Sequence, residues 1–237
     1  MSAALPSERD VIEHFAGWRF EAGDRAYIAY HARRYAFLLR RVAGLLDRGS
    51  RILDVGAVFE AELLRSSLPD ARVDTLGFEN VRFPPREGER HLEMDLNELD
   101  DGSSLGEHDL AVMCEVIEHL HAPPGRVLAG LAGGVRPGGA LVLQTVNAVA
   151  LHKRLRMLAG RSPFEPIRDS AANPGHFHEY TAPELVALAH SAGWEPLSVE
   201  VENYFRPPAA FGRLYGVVGR TLPPSMRHGI TLCLERR

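Results

Sequence analysis

The feature that most constrains this chain is a repeated switch in hydrophobic period. Short apolar runs of strand length alternate with segments of helical spacing, and the turns between them are brief. Parallel strands need a crossover connection, usually a helix, so this alternation predicts an α/β fold: a doubly wound, mostly parallel sheet with helices on both faces. The strand-like runs are 51–56, 72–78, 91–94, 110–113, 140–145, 195–203 and 229–235. Helical spacing marks a long segment capped by Asp24, with Tyr30, Phe37, Leu38, Val42, Leu45 and Leu46 on one stripe. It returns in residues 59–68 and around Val127, Leu128 and Leu131. Arg136-Pro137-Gly138-Gly139 reads as a turn launching the next strand, and Thr181-Ala182-Pro183-Glu184 as a capping box opening a helix that ends at Gly193.

Composition narrows the class. At 237 residues, 45% hydrophobic and 24% charged, the chain can bury a full core without staples. Its two cysteines, Cys114 and Cys233, have no metal-ligand spacing, which suggests a reducing, cytoplasmic setting. A formal net charge of −4 argues against a general nucleic-acid binder. No apolar run reaches membrane-span length and the first residues do not read as a signal peptide, so no transmembrane segment is expected.

Doubly wound sheets bind ligands outside the carboxyl ends of their strands. Asp54, Glu79, Asp95 and Glu115 each fall at or just past the end of an apolar run. Four carboxylates there suit a ligand with hydroxyls, amines and positive charge better than a phosphate, which wants a glycine-rich loop or basic residues. The missing three-glycine fingerprint also disfavours a nicotinamide-dependent dehydrogenase.

Four segments carry a resemblance to class I S-adenosylmethionine-dependent methyltransferases, nearest to the small-molecule enzymes of ubiquinone biosynthesis and sugar tailoring. They are Arg51-Ile52-Leu53-Asp54-Val55-Gly56, Leu76-Gly77-Phe78-Glu79, Asp95-Leu96, and the run from Asp109 to Leu120 with Pro137-Gly138-Gly139 after it. The resemblance spans roughly 50–203. It implies a Rossmann-like seven-stranded sheet and S-adenosylmethionine as cofactor. The cofactor would lie in a cradle of Asp54, Gly56, Ala57, Glu79, Asp95, Leu96, Cys114 and Glu115, with Glu79 on the ribose and Asp95-Leu96 at the adenine. The chain departs from the family where further glycines are usual: Val58 crowds the approach, and Glu60 either repels the cofactor carboxylate or serves its own helix N-terminus. That departure motivates a rival reading, a non-catalytic scaffold or sensor.

On the acceptor side, His119 and His176 are the candidate bases, histidine having a suitable pKa, and Asn147, His178 and Tyr180 are candidate substrate contacts. His176-x-His178 has metal-like spacing, but no third ligand of matching pattern is evident, so no metal is expected. Tyr204, Phe205 and Phe211 around Pro207-Pro208 could wall a pocket, although core packing explains them as well. In 151–161, Leu151, Leu155 and Leu158 form one stripe with Lys153, Arg154, Arg156 and Arg161 elsewhere. A helix covering the sheet is the plain reading, and a lid for an anionic or lipid-linked acceptor, or peripheral membrane contact, the functional one. The expected organisation is an N-terminal helical segment, 1–48, packed on a methyltransferase domain, 49–237, with 148–180 as an acceptor-side lid. The expected activity is O-methylation of a small-molecule acceptor (a glycan, lipid-linked or secondary-metabolite substrate) by a monomer or homodimer.

Overall fold

The computed structural model describes residues 6–56, 58–78, 82–164, 166–169, 174–204 and 221–237. Its strands are β1 (Arg51–Val55), β2 (Arg72–Gly77), β3 (His91–Glu93), β4 (His108–Cys114), β5 (Val135–Val146), β6 (Trp194–Glu202) and β7 (Gly229–Arg236). They form one sheet in the order β3-β2-β1-β4-β5-β7-β6. Strands β1 to β5 pair in parallel, and β7 runs antiparallel to both β5 and β6. This is the Rossmann-like, mostly parallel seven-stranded architecture expected. Strand order reverses between β1 and β4, so their carboxyl ends lie side by side at the switch point where such folds bind ligands.

Among the described residues, six helices flank the sheet: α1 (Glu8–His14), α2 (Ala22–Ala43), α3 (Glu60–Ser67), α4 (Pro124–Gly133), α5 (Leu151–Leu158) and α6 (Ala182–Ser191). Alternating residues of the strands feed two cores. Leu53, Val55, Leu76, Met113 and Leu143 join Leu128, Leu131, Leu185 and Trp194 on one face, where the Trp194 indole also donates to the Leu128 carbonyl at 2.9 Å. Ile52, Val73, Leu110 and Val112 join Phe15, Ile28, Tyr35, Leu39 and Leu64 on the other. The first two helices are therefore part of the core that the strands build.

Local details differ from the sequence reading for definable reasons. Helix α2 has Glu21 as its N-cap, and Asp24 is the third residue of the helix, whose carboxylate reaches back to the Glu21 amide to complete a capping box. Its buried stripe runs through Ile28, His31, Arg34, Tyr35, Leu38 and Val42, while Tyr30 lies outside. The Arg136–Gly139 turn proves to be an irregularity inside β5: pairing with β4 shifts between His108 and Leu110, and Gly138 takes φ 70° to absorb the extra residues. The Thr181 capping box forms as expected, with Glu184 returning to the Thr181 amide at 2.7 Å.

Candidate functional site

At the switch point the backbone leaves β1 through Gly56, which takes φ 72° and whose amide donates a hydrogen bond to the Leu76 carbonyl (2.7 Å), tying the ends of β1 and β2 together. A Cβ at Gly56 would stand 2.5 Å from Val116 Cγ2, so no side chain fits there. Next to it, Asp54 is buried, and its Oδ2 finds no hydrogen-bond partner among the described residues. Burial, with the Glu60 charge nearby, pushes the Asp54 carboxyl well above the usual range. A carboxyl kept dry and without a donor is suited to a ligand that brings one.

The departure at Val58 and Glu60 resolves in favour of the second reading of Glu60. Its Oε2 accepts the amides of Val58 (3.3 Å) and Phe59 (3.0 Å), and its Oε1 accepts Arg34 Nη2 at 2.9 Å. Both side chains of that ion pair are buried, so the carboxylate is neutralised within the fold and serves the start of α3. Val58 turns its side chain outward, 44% exposed. Arg34 also donates to His31 Nδ1 at 3.2 Å. The sequence reading missed Arg34, although an arginine on the apolar stripe of a helix already demands a buried partner. The same helix brings Tyr27 and Tyr30 over this end of the sheet. Burial, then the Glu60 charge, raises the Tyr27 hydroxyl to about 12, and burial, then Glu115, raises Tyr30.

The end of β4 supplies the other wall. Cys114 is buried, and burial pushes its thiol up. Glu115 adopts φ 55°, a left-handed conformation uncommon for a side-chain-bearing residue, and its amide donates to the Gln144 carbonyl. Burial, then the charge of Glu118, raises its carboxyl to about 8. Asp95 caps a short 3-10 turn by accepting the Asn97 amide at 2.9 Å, and Leu96 beside it is buried. Ala57 and Glu79 lie outside the described residues, as do Phe205, Pro207, Pro208 and Phe211. Tyr204, by contrast, is buried against Thr231, with its hydroxyl hydrogen-bonded to that residue.

Beyond Glu115 the chain makes a 3-10 turn that carries Glu118 and His119. Glu118 is fully buried, its Oε2 accepts the Thr145 hydroxyl (2.8 Å), and its Oε1 has no partner among the described residues. Burial raises it to about 7. Its carbonyl accepts the amides of Phe177 (2.8 Å) and His178 (3.3 Å), which fastens the 174–180 segment to the turn. His119 Nδ1 donates to the Gly175 carbonyl and His176 Nδ1 to Glu179 Oε1, both at 2.9 Å, and the two rings meet edge to face at 4.8 Å. Glu179 in turn pairs with Lys153. One carboxylate oxygen of Glu118 and one ring nitrogen from each of His119 and His176 lie within 4.8 Å of one another. The sequence shows no third ligand of matching pattern for His176 and His178; in the structure His176 instead neighbours Glu118 and His119 from the turn after β4, a place that spacing within 173–180 could not reveal. His178 is exposed, edge to face with Tyr180 at 4.5 Å, and outside the cluster. Asn147 Nδ2 donates to the carbonyls of Ser225 (3.1 Å) and Arg227 (2.8 Å), so its amide is committed to holding the chain before β7. Helix α5 is inverted relative to a covering helix, with Lys153 7% exposed and Leu155 and Leu158 55% and 85% exposed. None of the described helices is long and apolar enough to cross a membrane.

Comparison with known proteins agrees with this geometry. Among solved structures, a chain of the complex between the Haloferax volcanii Trm112 methyltransferase activator and a methyltransferase superposes with a TM-score of 0.62 at 15% identity, covering 97% of each chain. An S-adenosylmethionine-dependent methyltransferase from Mesorhizobium loti gives 0.55 at 16% identity, over 84% of this chain and 97% of that one. Human N-acetylserotonin methyltransferase in complex with S-adenosylmethionine gives 0.53 at 14% identity, over 97% of this chain and 56% of that one. Identities this low show the fold. No curated protein matches the sequence. The profile of one family, described as "Methyltransferase domain", matches residues 27–199, from within α2 into β6. The chain belongs to that methyltransferase-domain family, and the family together with these neighbours supports S-adenosylmethionine as its cofactor.

Proposed function

We propose that this protein transfers a methyl group from S-adenosylmethionine to the oxygen of a small-molecule acceptor. The observation that carries the reading is the continuity of one strand end. Cys114 and Glu115, at and just past the end of β4, would face the cofactor, and Glu118 and His119 in the next turn would face the acceptor. Glu115 feels the charges of both Glu118 and His119, so the two half-sites are neighbours. Donor and acceptor held in such adjacent sites meet without a bimolecular search, which accounts for much of the rate of an in-line displacement.

The residues present fit the cofactor. S-adenosylmethionine brings an ammonium group and ribose hydroxyls, donors that suit the partnerless Asp54 Oδ2 and the raised carboxyl of Glu115. When bound it supplies an electrophilic methyl group on a sulfonium. Gly56 keeps the floor open, Asp95 and Leu96 would border the adenine, and Ala57 and Glu79 would complete the cradle. Arg34 removes the obstacle posed by Glu60, which weakens the case for a non-catalytic scaffold. On the acceptor side His119 and His176 present basic nitrogens where a hydroxyl proton must leave, Tyr180 is a buried neighbour of exposed His178, and 148–180 would cover the acceptor. We assign Asn147 a structural role instead, because its amide already holds residues 225 and 227.

Calorimetric titration of the full chain with S-adenosylmethionine and S-adenosylhomocysteine tests the reading. One-site binding at micromolar level is expected, on the order of −8 kcal/mol. Absence of binding at millimolar ligand would sink it and leave the scaffold or sensor reading.

A further inference from the structure

We propose that Glu118, His119 and His176 form a binding site for a divalent transition-metal ion, whose remaining coordination positions take oxygen atoms of the acceptor. The role toward the acceptor rests on the methyl-transfer reading above; the ion site itself does not.

The donor set and its surroundings carry the argument. Two imidazoles and one carboxylate make a three-ligand site with open positions, the pattern that suits ions of the manganese-to-zinc series. Imidazole donors disfavour calcium and magnesium. A carbonyl can only accept, so the hydrogen bond to Gly175 puts the His119 proton on Nδ1 and leaves the lone pair of the neutral ring on Nε2. The Glu179 carboxylate fixes His176 in the same tautomer. Ligand histidines in metal sites characteristically donate their other N–H to a carbonyl or carboxylate, and here both do. Glu118 is oriented by Thr145 through Oε2, while Oε1 is fully buried and without a partner among the described residues. A buried carboxylate oxygen left bare is costly, and a cation removes that cost.

Geometry agrees. A point in the plane of three atoms that all lie within 4.8 Å of one another is within about 2.8 Å of each. Ordinary coordination lengths are about 2.0–2.2 Å, so the ligands need to close by less than ~1 Å. The two hydrogen bonds that the Phe177 and His178 amides donate to the Glu118 carbonyl hold the His176 segment against the turn, so the site comes preassembled by the fold. With an ion bound, the two histidines act as ligands rather than as proton acceptors, and the ion lowers the pKa of an oxygen it binds.

The test uses the untagged full chain, stripped with chelator and titrated calorimetrically with Mn2+, Zn2+ and Ca2+. The expected result is one ion per chain for Mn2+ and Zn2+ with much weaker Ca2+ binding. Affinity should fall at least tenfold in Glu118→Gln and His176→Gln and stay unchanged in His178→Gln, which removes the exposed histidine of the same motif. No saturable Mn2+ or Zn2+ binding overturns the site, as does binding that survives Glu118→Gln or fails equally in His178→Gln. Should the buried variants misfold, Co2+ added to the unmodified chain decides: intensified ligand-field absorption supports the site, and a spectrum identical to aqueous cobalt overturns it. S-adenosylmethionine titrations on the same samples separate the two readings. Ion binding without cofactor binding sinks methyl transfer alone, and the reverse sinks the ion site alone.

Discussion

Asp54 and Asp74 are one register step apart on neighbouring strands, since Leu53 pairs with Asp74 and Asp54 with Thr75, and each is 1% exposed. They point to opposite faces, and the protein treats them in opposite ways. Asp74 is surrounded by donors: Arg51 Nη2 at 2.6 Å, the Arg90 amide at 2.8 Å and His108 Nε2 at 3.0 Å. Burial works to raise its carboxyl, but the hydrogen bonds from His108, Arg90 and Arg51 outweigh it and hold it well below the usual range. Asp54 has a partnerless oxygen and a raised carboxyl. The same residue type, equally hidden from solvent, is thus built into the structure where its partners are supplied, and where one is withheld it is a candidate for the proposed cofactor cradle.

The sharpest way to break that comparison is to delete the satisfied carboxylate. Asp74→Ala leaves buried His108 and two arginines without their acceptor, a loss of about 3 kcal/mol by analogy with other broken buried pairs. For a domain of this size that lowers the melting temperature by about 6–12 °C, measurable by calorimetric scanning. A fall as large in Asp54→Asn would show that both carboxylates are structural. Arg34→Leu should cost a similar amount, about 3 kcal/mol, because it strands Glu60 in the core. Replacing both, Arg34→Leu with Glu60→Leu, should recover much of the loss. If the single change is harmless, Glu60 is not held by Arg34 and its neutralisation fails as an account of the departure from glycine.

A smaller effect sharpens the comparison through pH. Glu115 and Glu118 stay protonated in the folded chain up to about 8 and about 7, whereas exposed glutamates release their protons near 4.5. The folded state therefore holds protons that the unfolded state has lost, and the stability these groups contribute is full below about 4.5 and lost as pH rises towards 8. Asp74 acts the other way: its contribution is present above about 4 and lost as pH falls. Melting temperature of the ligand-free chain should peak at about pH 5. Glu118→Gln should flatten the upper limb and leave the lower one, and a flat profile in the unmodified chain would contradict the burial of these acids.

What was legible in the sequence follows the same division. All seven strands, the capping box at Thr181 and the positions of Asp54 and Glu115 at the ends of β1 and β4 were readable, because short apolar runs and local hydrogen-bond chemistry are encoded by neighbours in the chain. The buried stripe of α2 was misread because its tertiary partner, Glu60 under Arg34, is remote in sequence. The cluster around the turn after β4 was half visible: His119 and His176 were named, but Glu118 and Glu179 were not, since only the docking of 174–180 onto that turn brings them together. The inverted face of α5 had no local signal either, because Lys153 is drawn inward by Glu179.

The smallest change in stability is expected for Asp54→Asn, and it is the most informative. The substitution removes a carboxyl that is dry, partnerless on Oδ2 and near Glu60, and replaces it with a neutral group of the same shape. No donor loses its acceptor at Oδ2, so the melting temperature at pH 7 should change by less than about 4 °C, in either direction. Affinity for S-adenosylmethionine should fall at least tenfold, because the amide has one acceptor oxygen and no charge to offer. Stability and binding must therefore separate at this residue, as they must not at Asp74, where a variant that binds poorly does so because it unfolds. A stable Asp54→Asn chain with unchanged affinity would mean that the withheld partner is not the cofactor, and the cradle would have to be redrawn around Gly56 and Glu115.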